Sequence, residues 1–244
     1  MEQANLIEIF ESLQGEGPYV GEPMVFVRFQ DCALSCQFCD TPDSFKKHSQ
    51  FRIERRRGSG EFEWLENPIS HTALNECLRP YPSKTLSLTG GEPLQHADFL
   101  KSWLPSLAGE YRILLETNGT LSDSLQKVLE WVDIISMDFK LPSATGMAPL
   151  WEEHRAFLKL ASQKDVYLKA VVAGPTRVEE IEHAIALVRE LAPGAPFILQ
   201  PVTPHGPIRE TIDKRHLQEL YELSKRQLED VRIIPQMHVE WGIL

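Results

Sequence analysis

Short apolar runs alternate with longer amphipathic stretches along most of the chain. Runs rich in β-branched and aromatic residues predict strands, and apolar positions three or four apart predict helices. Strands are predicted at 24–30, 85–89, 112–116, 133–139, 166–173, 197–202 and 231–234. Helices are predicted at 71–79, 97–107, 123–131, 150–161, 177–191 and 214–227, with Pro105 expected to end the second one early.

Repeated strand–helix pairs predict a parallel sheet with right-handed crossovers. Six or seven strands are fewer than the eight of a closed barrel, so we expect an α/β fold, a partial TIM-like (β/α)6 barrel. Its functional site should lie at the carboxyl ends of the strands. We expect residues 1–244 to form a single domain, with a charged insertion at 42–71 that contains a short hairpin. Residues 203–244 are expected to form a C-terminal extension that closes the site.

Three cysteines directly follow the first predicted strand, at Cys32, Cys36 and Cys39. Clustered cysteines in a chain without a disulfide framework indicate a metal site. Three thiolates on a [4Fe-4S] cube would leave one iron open to a small molecule. The alternative is zinc, which would need a fourth ligand such as His48 or Asp40.

Polar segments also follow the later strands, namely TGGEP at 89–93, ETNG at 116–119, SMDFK at 136–140 and QP at 200–201. Taken alone, each is typical of an ordinary turn. Because loops on one face of such a sheet converge, we expect these segments to line one cavity with the cysteine loop. The fourth cysteine, Cys77, lies in a predicted amphipathic helix and is expected to be a small core residue.

Composition narrows the class of protein further. The chain has 35 acidic and 25 basic residues, a net charge of −10, which disfavours binding to a nucleic-acid backbone. The basic run at 52–57 is interrupted by Glu54 and is expected to be a solvated surface segment. No run reaches the roughly 18 apolar residues of a membrane helix, and the acidic N-terminus has no signal-peptide pattern. We therefore expect a cytoplasmic protein that binds neither membranes nor nucleic acid.

The C-x3-C-x2-C loop, with Phe38 before its third cysteine and GGEP after the second strand, resembles the radical S-adenosylmethionine (SAM) superfamily. Further segments resemble one family within it, the 7-carboxy-7-deazaguanine synthases. These segments are ESLQGEG at 11–17, Arg28, CDT at 39–41, ETNG at 116–119 and PQMH at 235–238.

The resemblance implies a [4Fe-4S] cluster held by the three cysteines, with SAM at the open iron. An electron donor such as flavodoxin or ferredoxin would reduce the cluster, and SAM cleavage would yield a 5′-deoxyadenosyl radical. Lys140 lies two residues beyond the family's Ser-x-Lys position and is not assigned. The residues implied to bind SAM are Phe38, Cys39, Asp40, Gly90, Gly91, Glu92, Ser136, Met137, Asp138 and Gln200.

The same resemblance implies a lyase of queuosine and 7-deazapurine biosynthesis that is expected to be a homodimer. It would convert 6-carboxy-5,6,7,8-tetrahydropterin to 7-carboxy-7-deazaguanine by abstraction of the C6 hydrogen, ring contraction and loss of ammonia. Thr41 matches a Mg²⁺ ligand, and Arg28 would clamp the substrate carboxylate through two parallel hydrogen bonds. The residues implied to bind substrate are Leu13, Gln14, Gly15, Glu16, Arg28, Thr89, Glu116, His238 and Leu244.

Two alternatives remain open from the sequence. A glycyl-radical activating enzyme would share the iron–sulfur cluster but act on a protein. A zinc- or cluster-based redox sensor would perform no catalysis. Turnover of the carboxypterin would distinguish the synthase from the activating enzyme. Iron and sulfide analysis would distinguish a [4Fe-4S] enzyme from the sensor.

Overall fold

A ten-stranded mixed sheet forms the centre of the fold, in a computed structural model that describes residues 2–205 and 207–244. A further pair of two-residue strands lies outside it. The strands are β1 (Gln3–Ala4), β2 (Leu6–Leu13), β3 (Pro23–Phe29), β4 (Gln50–Glu54), β5 (Phe62–Glu66), β6 (Ile69–Ser70), β7 (Thr85–Gly90), β8 (Arg112–Thr117), β9 (Ile134–Phe139), β10 (Asp165–Val172), β11 (Phe197–Pro201) and β12 (Val231–Ile233).

The strand order of the large sheet is β12-β11-β10-β9-β8-β7-β3-β2-β4-β5. From β3 to β12 every neighbouring pair is parallel. β2 runs antiparallel to β3, and β4 and β5 form an antiparallel hairpin whose first strand pairs with β2. The sheet is mostly parallel, and the prediction of an α/β fold built as a partial barrel is confirmed.

Helices connect the parallel strands, as the alternating pattern predicted. Pro105 lies in a 3-10 turn that follows Trp103, which explains why the helix predicted at 97–107 ends early. Across the described residues, no helix has the length and apolar character needed to cross a membrane. The helices are α1 (His71–Leu78), α2 (Ala97–Trp103), α3 (Ser122–Val128), α4 (Pro142–Thr145), α5 (Trp151–Ala161), α6 (Val178–Leu191), α7 (Lys214–Lys225) and α8 (Met237–Trp241).

The two faces of the sheet bury different sets of side chains, because successive residues of a strand point to opposite faces. The helix-covered face contributes to a large apolar core that includes Val27, Leu88 and Met137. The other face carries a smaller apolar core, made of Phe10, Met24, Phe26, Leu114, Ile134, Tyr167 and Ile198. On this second face the side chains become polar toward the carboxyl ends of the strands, which is where the site lies.

Two parts of the sheet differ from the sequence expectation. The N-terminal strand β2 was not predicted, because its buried positions include Glu8, Glu11 and Ser12 as well as apolar residues. Each of these two glutamates has a partner: Glu8 pairs with two arginines, and Glu11 accepts a hydrogen bond from the Ser83 backbone N–H at 3.0 Å. The segment at 42–71 does contain a hairpin, and that hairpin extends the main sheet at one edge.

Candidate active site

A cavity of about 790 Å³ opens at the carboxyl ends of the parallel strands. This volume is within the range of about 300–1,000 Å³ that is typical of small-molecule sites. Most residues that the sequence indicated line it, although they come from segments spread over the whole chain. They are Leu13, Gln14, Gly15, Glu16, Arg28, Cys32, Cys36, Phe38, Cys39, Asp40, Thr41, Thr89, Gly90, Gly91, Glu116, Asp138, Gln200, His238 and Leu244.

Three residues implied to bind SAM do not line the cavity. Glu92 is fully buried, and its carboxylate accepts hydrogen bonds from the Leu94 and Asn118 backbone N–H groups and the Thr117 hydroxyl at 2.8–3.1 Å. Burial raises the pKa of Glu92 to about 7. These contacts anchor the Glu92 carboxylate within the fold, and the implied role of Glu92 in SAM binding stays a prediction.

Met137 and Ser136 are the other two of these residues. Met137 points to the helix-covered face of β9, where it belongs to the large apolar core. Ser136 is buried next to it on the opposite face, and it also lies outside the cavity lining. Only Asp138, of the three predicted residues of this strand, reaches the cavity.

The cysteine loop begins at Asp31, whose backbone has a positive φ of 65°. Cys32, Cys36 and Cys39 are free thiols, half-buried, and all three line the cavity. Burial raises the pKa of each thiol. No group of three or more His, Cys, Asp and Glu side chains within 2–205 and 207–244 is arranged to hold a single metal ion.

The Gly90-Gly91 pair packs against the start of this loop. A Cβ on Gly90 would lie 2.3 Å from the Phe29 carbonyl oxygen, and one on Gly91 would lie 2.3 Å from the Asp31 carbonyl oxygen. The Gly91 backbone N–H donates to the Phe29 carbonyl at 3.1 Å. The resemblance implied that these glycines bind SAM. In the structure they also allow the end of β7 to pack against the start of the cysteine loop, because a side chain would not fit there.

An ionic network of Glu16, Asp138, Lys140 and Lys169 lines the cavity at the carboxyl end of β9 and on β10. Lys169 contacts Glu16 and lies 3.3 Å from Asp138, while Lys140 lies 2.7 Å from the other oxygen of Asp138. The charges of Lys140 and Lys169 outweigh the effect of burial and hold the pKa of Asp138 below its usual value. Lys140 also lies over the ring of Phe38, at 5.3 Å from the centroid.

Gln236 connects this network to the cysteine loop. Its side-chain amide donates to Glu16 Oε1 at 2.9 Å and to Asp40 Oδ2 at 3.0 Å. Burial raises the pKa of Asp40, but the Gln236 hydrogen bond and the Arg28 charge hold it below its usual value. The Thr41 hydroxyl donates to Asp40 at 3.0 Å. Asp40, one of the two candidates for a fourth zinc ligand, is thus held by other partners.

The ESLQGEG segment reaches the cavity at its C-terminal end. The Gln14 amide donates to Glu116 Oε1 at 3.2 Å, and the Ser87 hydroxyl donates to the same oxygen at 2.6 Å. Gly15 packs against His238, since a Cβ there would lie 2.3 Å from the His238 Nδ1 atom. The Gly15 carbonyl also accepts a hydrogen bond from the Met237 backbone at 2.8 Å, which brings the C-terminal helix α8 to the cavity.

Arg28 and Arg52 are two cations that line the cavity next to β2. Arg28 Nε donates to Glu8 Oε1 at 2.7 Å, and Arg52 of β4 donates to Glu8 Oε2 through Nε and Nη2 at 2.8 and 2.6 Å. Glu8, Arg28 and Arg52 all line the cavity.

The sequence interpretation missed Lys169, Gln236 and Arg52, and it left Lys140 unassigned. A signal was present for Lys169, because it is the one charged residue within the apolar run VYLKAVV at 166–172. Gln236 lies within the PQMH segment, but the resemblance assigned no role to it. Arg52 belongs to the run expected to be a solvated surface segment, and the structure corrects this, because Arg52 pairs with Glu8 and lines the cavity.

Comparison with known proteins decides the family. A profile of the radical SAM superfamily matches residues 26–214. The 7-carboxy-7-deazaguanine synthase of Geobacter sulfurreducens is 40% identical over 99% of this chain and 98% of its own length. The enzyme of that name from Methanopyrus kandleri is 37% identical over 96% of this chain and 92% of its own length. The chain belongs to the 7-carboxy-7-deazaguanine synthase family of radical SAM proteins.

Solved structures agree on the fold of this radical SAM protein. QueE from Escherichia coli superposes with a TM-score of 0.63 at 22% identity, covering 97% of this chain and 95% of its own. Streptococcus suis SuiB bound to S-adenosylmethionine superposes with a TM-score of 0.54 at 16% identity, covering 84% of this chain and 48% of its own. At these identities the likeness supports the shared fold.

Membership of the superfamily implies a [4Fe-4S] cluster and SAM, as the cysteine spacing and its resemblance predicted. The donor set fits both groups. Three free thiols on one loop suit a cluster with one open iron. Among the described residues, Gln200 Oε1 is buried at the cavity without a hydrogen-bond partner, which leaves an acceptor for a bound group.

Proposed function

We propose that this protein is a radical SAM lyase that converts 6-carboxy-5,6,7,8-tetrahydropterin to 7-carboxy-7-deazaguanine, a precursor of queuosine and related 7-deazapurines. One observation carries the proposal. A single cavity gathers the three cysteines, the Arg28 guanidinium and the Gln14–Glu116 pair, in a chain 40% identical over nearly its full length to a synthase of that name.

The cysteines and the loops beside them would hold the cofactors. Cys32, Cys36 and Cys39 would ligate three irons, and the cluster with SAM would supply the radical that removes the C6 hydrogen. Phe38, the backbone of Cys39-Asp40 and the Gly90-Gly91 turn line the cavity beside the cysteines and are proposed to bind SAM. Asp138 of β9 and Gln200 of β11 would do so from the sheet.

The substrate would lie between Arg28 and the Gln14–Glu116 pair. The Arg28 guanidinium suits a carboxylate, because its fork of donors can form two parallel hydrogen bonds. Glu116 and Glu16 present carboxylate oxygens that can accept hydrogen bonds from the guanidine-like edge of a pterin. Leu13, Gly15, Thr89, His238 and Leu244 line the same space and are proposed to complete the site.

The Mg²⁺ site is proposed at Thr41. Its hydroxyl donates a hydrogen bond to Asp40, which leaves the oxygen lone pairs for the ion. Because Mg²⁺ prefers six oxygen ligands in an octahedron, the remaining oxygens would come from substrate and water. Residues 203–244 are proposed to close the site as an extension of a single domain spanning 1–244. The contacts of Gly15 with His238 and Met237, and of Gln236 with Asp40, support this closure.

Three further properties are proposed for the enzyme as a whole. A homodimer would cover the apolar C-terminal surface formed by Trp241 and Ile243, each more than a third exposed. A flavodoxin or ferredoxin would reduce the cluster. The enzyme would work in the cytoplasm, where thiols remain reduced.

Anaerobic turnover tests the proposal. Reconstituted enzyme with SAM, Mg²⁺ and a low-potential reductant should convert the carboxypterin to 7-carboxy-7-deazaguanine with release of ammonia. A protein that cleaves SAM yet leaves the carboxypterin unchanged would not be this synthase. Turnover of a peptide substrate in its place would indicate a glycyl-radical activating enzyme, and a colourless zinc protein would indicate a sensor.

A further inference from the structure

The hairpin β4–β5 forms the part of the cavity wall that lies next to Arg28. β2 separates β4 from β3, and Glu8 of β2 is in register with Arg28 on one side and with Arg52 on the other. The three side chains therefore stand side by side on one face of the sheet. All three line the cavity.

Glu8 holds both guanidiniums through different oxygens. Arg28 Nε lies 2.7 Å from Oε1, and Arg52 Nη2 lies 2.6 Å from Oε2. The Glu8 side chain is only 7% exposed, whereas those of Arg28 and Arg52 are 21% and 36% exposed. The buried carboxylate is thus shared, while both cations remain open to the cavity.

Aromatic rings orient the same two guanidiniums. Arg52 Cζ lies 4.4 Å from the centroid of the Phe62 ring, and Arg28 Cζ lies 6.0 Å from that of Phe10. A guanidinium over a ring keeps a defined plane and presents its N–H groups at its edges. Two cations around one carboxylate leave a net charge of +1, which complements a ligand with a single negative charge.

We propose that Arg52 is a second guanidinium for the carboxylate of the substrate, with Glu8 positioning both arginines. The inference rests on the proposed function, since it names a further binding residue for the same carboxypterin. In this proposal the hairpin at 50–66 contributes a residue to substrate recognition. The alternative is that Arg52 only ties the hairpin to β2 through Glu8.

A ligand pair separates these two roles. Pterin-6-carboxylate and unsubstituted pterin are fluorescent and differ by the carboxylate alone. Their binding to the cluster-reconstituted, SAM-loaded enzyme can be followed by fluorescence. Arg52→Gln should weaken binding of pterin-6-carboxylate about tenfold, which is about 1.4 kcal/mol, and leave pterin binding within twofold. Arg52→Lys keeps the charge without the fork and should give a smaller loss.

Arg55 supplies the matched control. It lies one residue beyond β4, forms an exposed ion pair with Glu63 at 2.8 Å and does not line the cavity. Arg55→Gln should leave both affinities unchanged. In turnover, Arg52→Gln should raise KM for the carboxypterin and largely retain kcat, because the carboxylate is held equally in the ground state and the transition state.

Each contrary result has a distinct meaning. Equal weakening of both pterins by Arg52→Gln would show that the arginine only holds the hairpin, and an unchanged affinity for both would show that it does not contact the ligand. Either result overturns the inference and leaves the proposed function standing. Wild-type enzyme that does not distinguish the two pterins would also overturn the inference. Failure of the carboxypterin turnover would overturn the proposed function, and this inference with it.

Discussion

Lys169 is the residue whose loss should damage the cavity most directly. Its side chain is 6% exposed, and its ammonium group contacts Glu16 and lies 3.3 Å from Asp138 Oδ1. Burial lowers the pKa of Lys169, but the charges of Asp138 and Glu16 raise it well above its usual value, so the ammonium stays charged. Lys169→Met keeps most of the side-chain volume and removes the charge shared by two carboxylates.

The size of the effect follows from the partners that remain. Asp138 keeps Lys140 at 2.7 Å, and Glu16 keeps the amide donors of Gln200 and Gln236 at 3.2 and 2.9 Å. Removal of one partner of a buried ion pair costs about 3–5 kcal/mol. Because both carboxylates retain partners, we expect the low end, about 3 kcal/mol of unfolding free energy. For a chain of this size that is a fall in Tm of roughly 6–12 °C.

Urea unfolding of the reduced apoprotein, followed by circular dichroism under argon, measures the loss. The double variant Lys169→Met, Glu16→Gln should recover at least about 1 kcal/mol relative to the single variant, because one of the uncompensated carboxylates is then neutral. Lys127→Met is the control, since Lys127 forms an exposed pair with Asp98 at 2.7 Å. Such a surface pair contributes little, so this variant should unfold as the wild type does.

Two results would refute the reasoning. The first is an unfolding free energy of Lys169→Met within about 1 kcal/mol of wild type, a smaller loss than removal of a buried, shared cation should cause. The second is simple addition of the effects of the Lys169 and Glu16 substitutions, which would mean that the two charges do not interact.

Three further predictions concern the cysteine loop and its surroundings. Burial raises the pKa of Glu92 from its usual 4.5 to about 7, so Glu92 stabilises the fold most at low pH, and this contribution is lost as pH rises through 7. The difference in unfolding free energy between wild type and Glu92→Gln should therefore fall by about 2 kcal/mol from pH 5.5 to pH 8; a constant difference would contradict the raised pKa. Gly91→Ala should destabilise the apoprotein by about 1–3 kcal/mol, because its Cβ would meet the Asp31 carbonyl at 2.3 Å, whereas Gly174→Ala, with open space around it, should not. Arg28→Ala should raise KM for the carboxypterin about tenfold or more while SAM cleavage continues, and an unchanged KM would remove Arg28 from the substrate site.

Much of the fold could be predicted from the sequence because its parallel strands are buried and apolar. The strands that became β3 and β7–β12 were predicted within one residue of their observed ends. β2 was not predicted, since three of its buried positions are polar and depend on partners far along the chain. The buried carboxylate of Glu8, for example, is tolerated because the fold places the guanidinium groups of Arg28 and Arg52 next to it.

The candidate site shows the same division. The cysteine spacing and the family segments located most of the cavity, because these residues lie in short continuous stretches. Glu92 was assigned to the site but does not line the cavity. The sequence could not show that its carboxylate accepts hydrogen bonds from Leu94, Thr117 and Asn118. Gln236 was missed for the converse reason, because only the fold brings it between Glu16 and Asp40.

The most direct test of the central claim is product analysis after anaerobic turnover. Cluster-reconstituted enzyme given SAM, Mg²⁺, reductant and 6-carboxy-5,6,7,8-tetrahydropterin should yield 7-carboxy-7-deazaguanine and ammonia in equal amounts, identified by mass spectrometry. The account is contradicted if an enzyme with full iron content and measurable SAM cleavage forms no deazaguanine from this substrate.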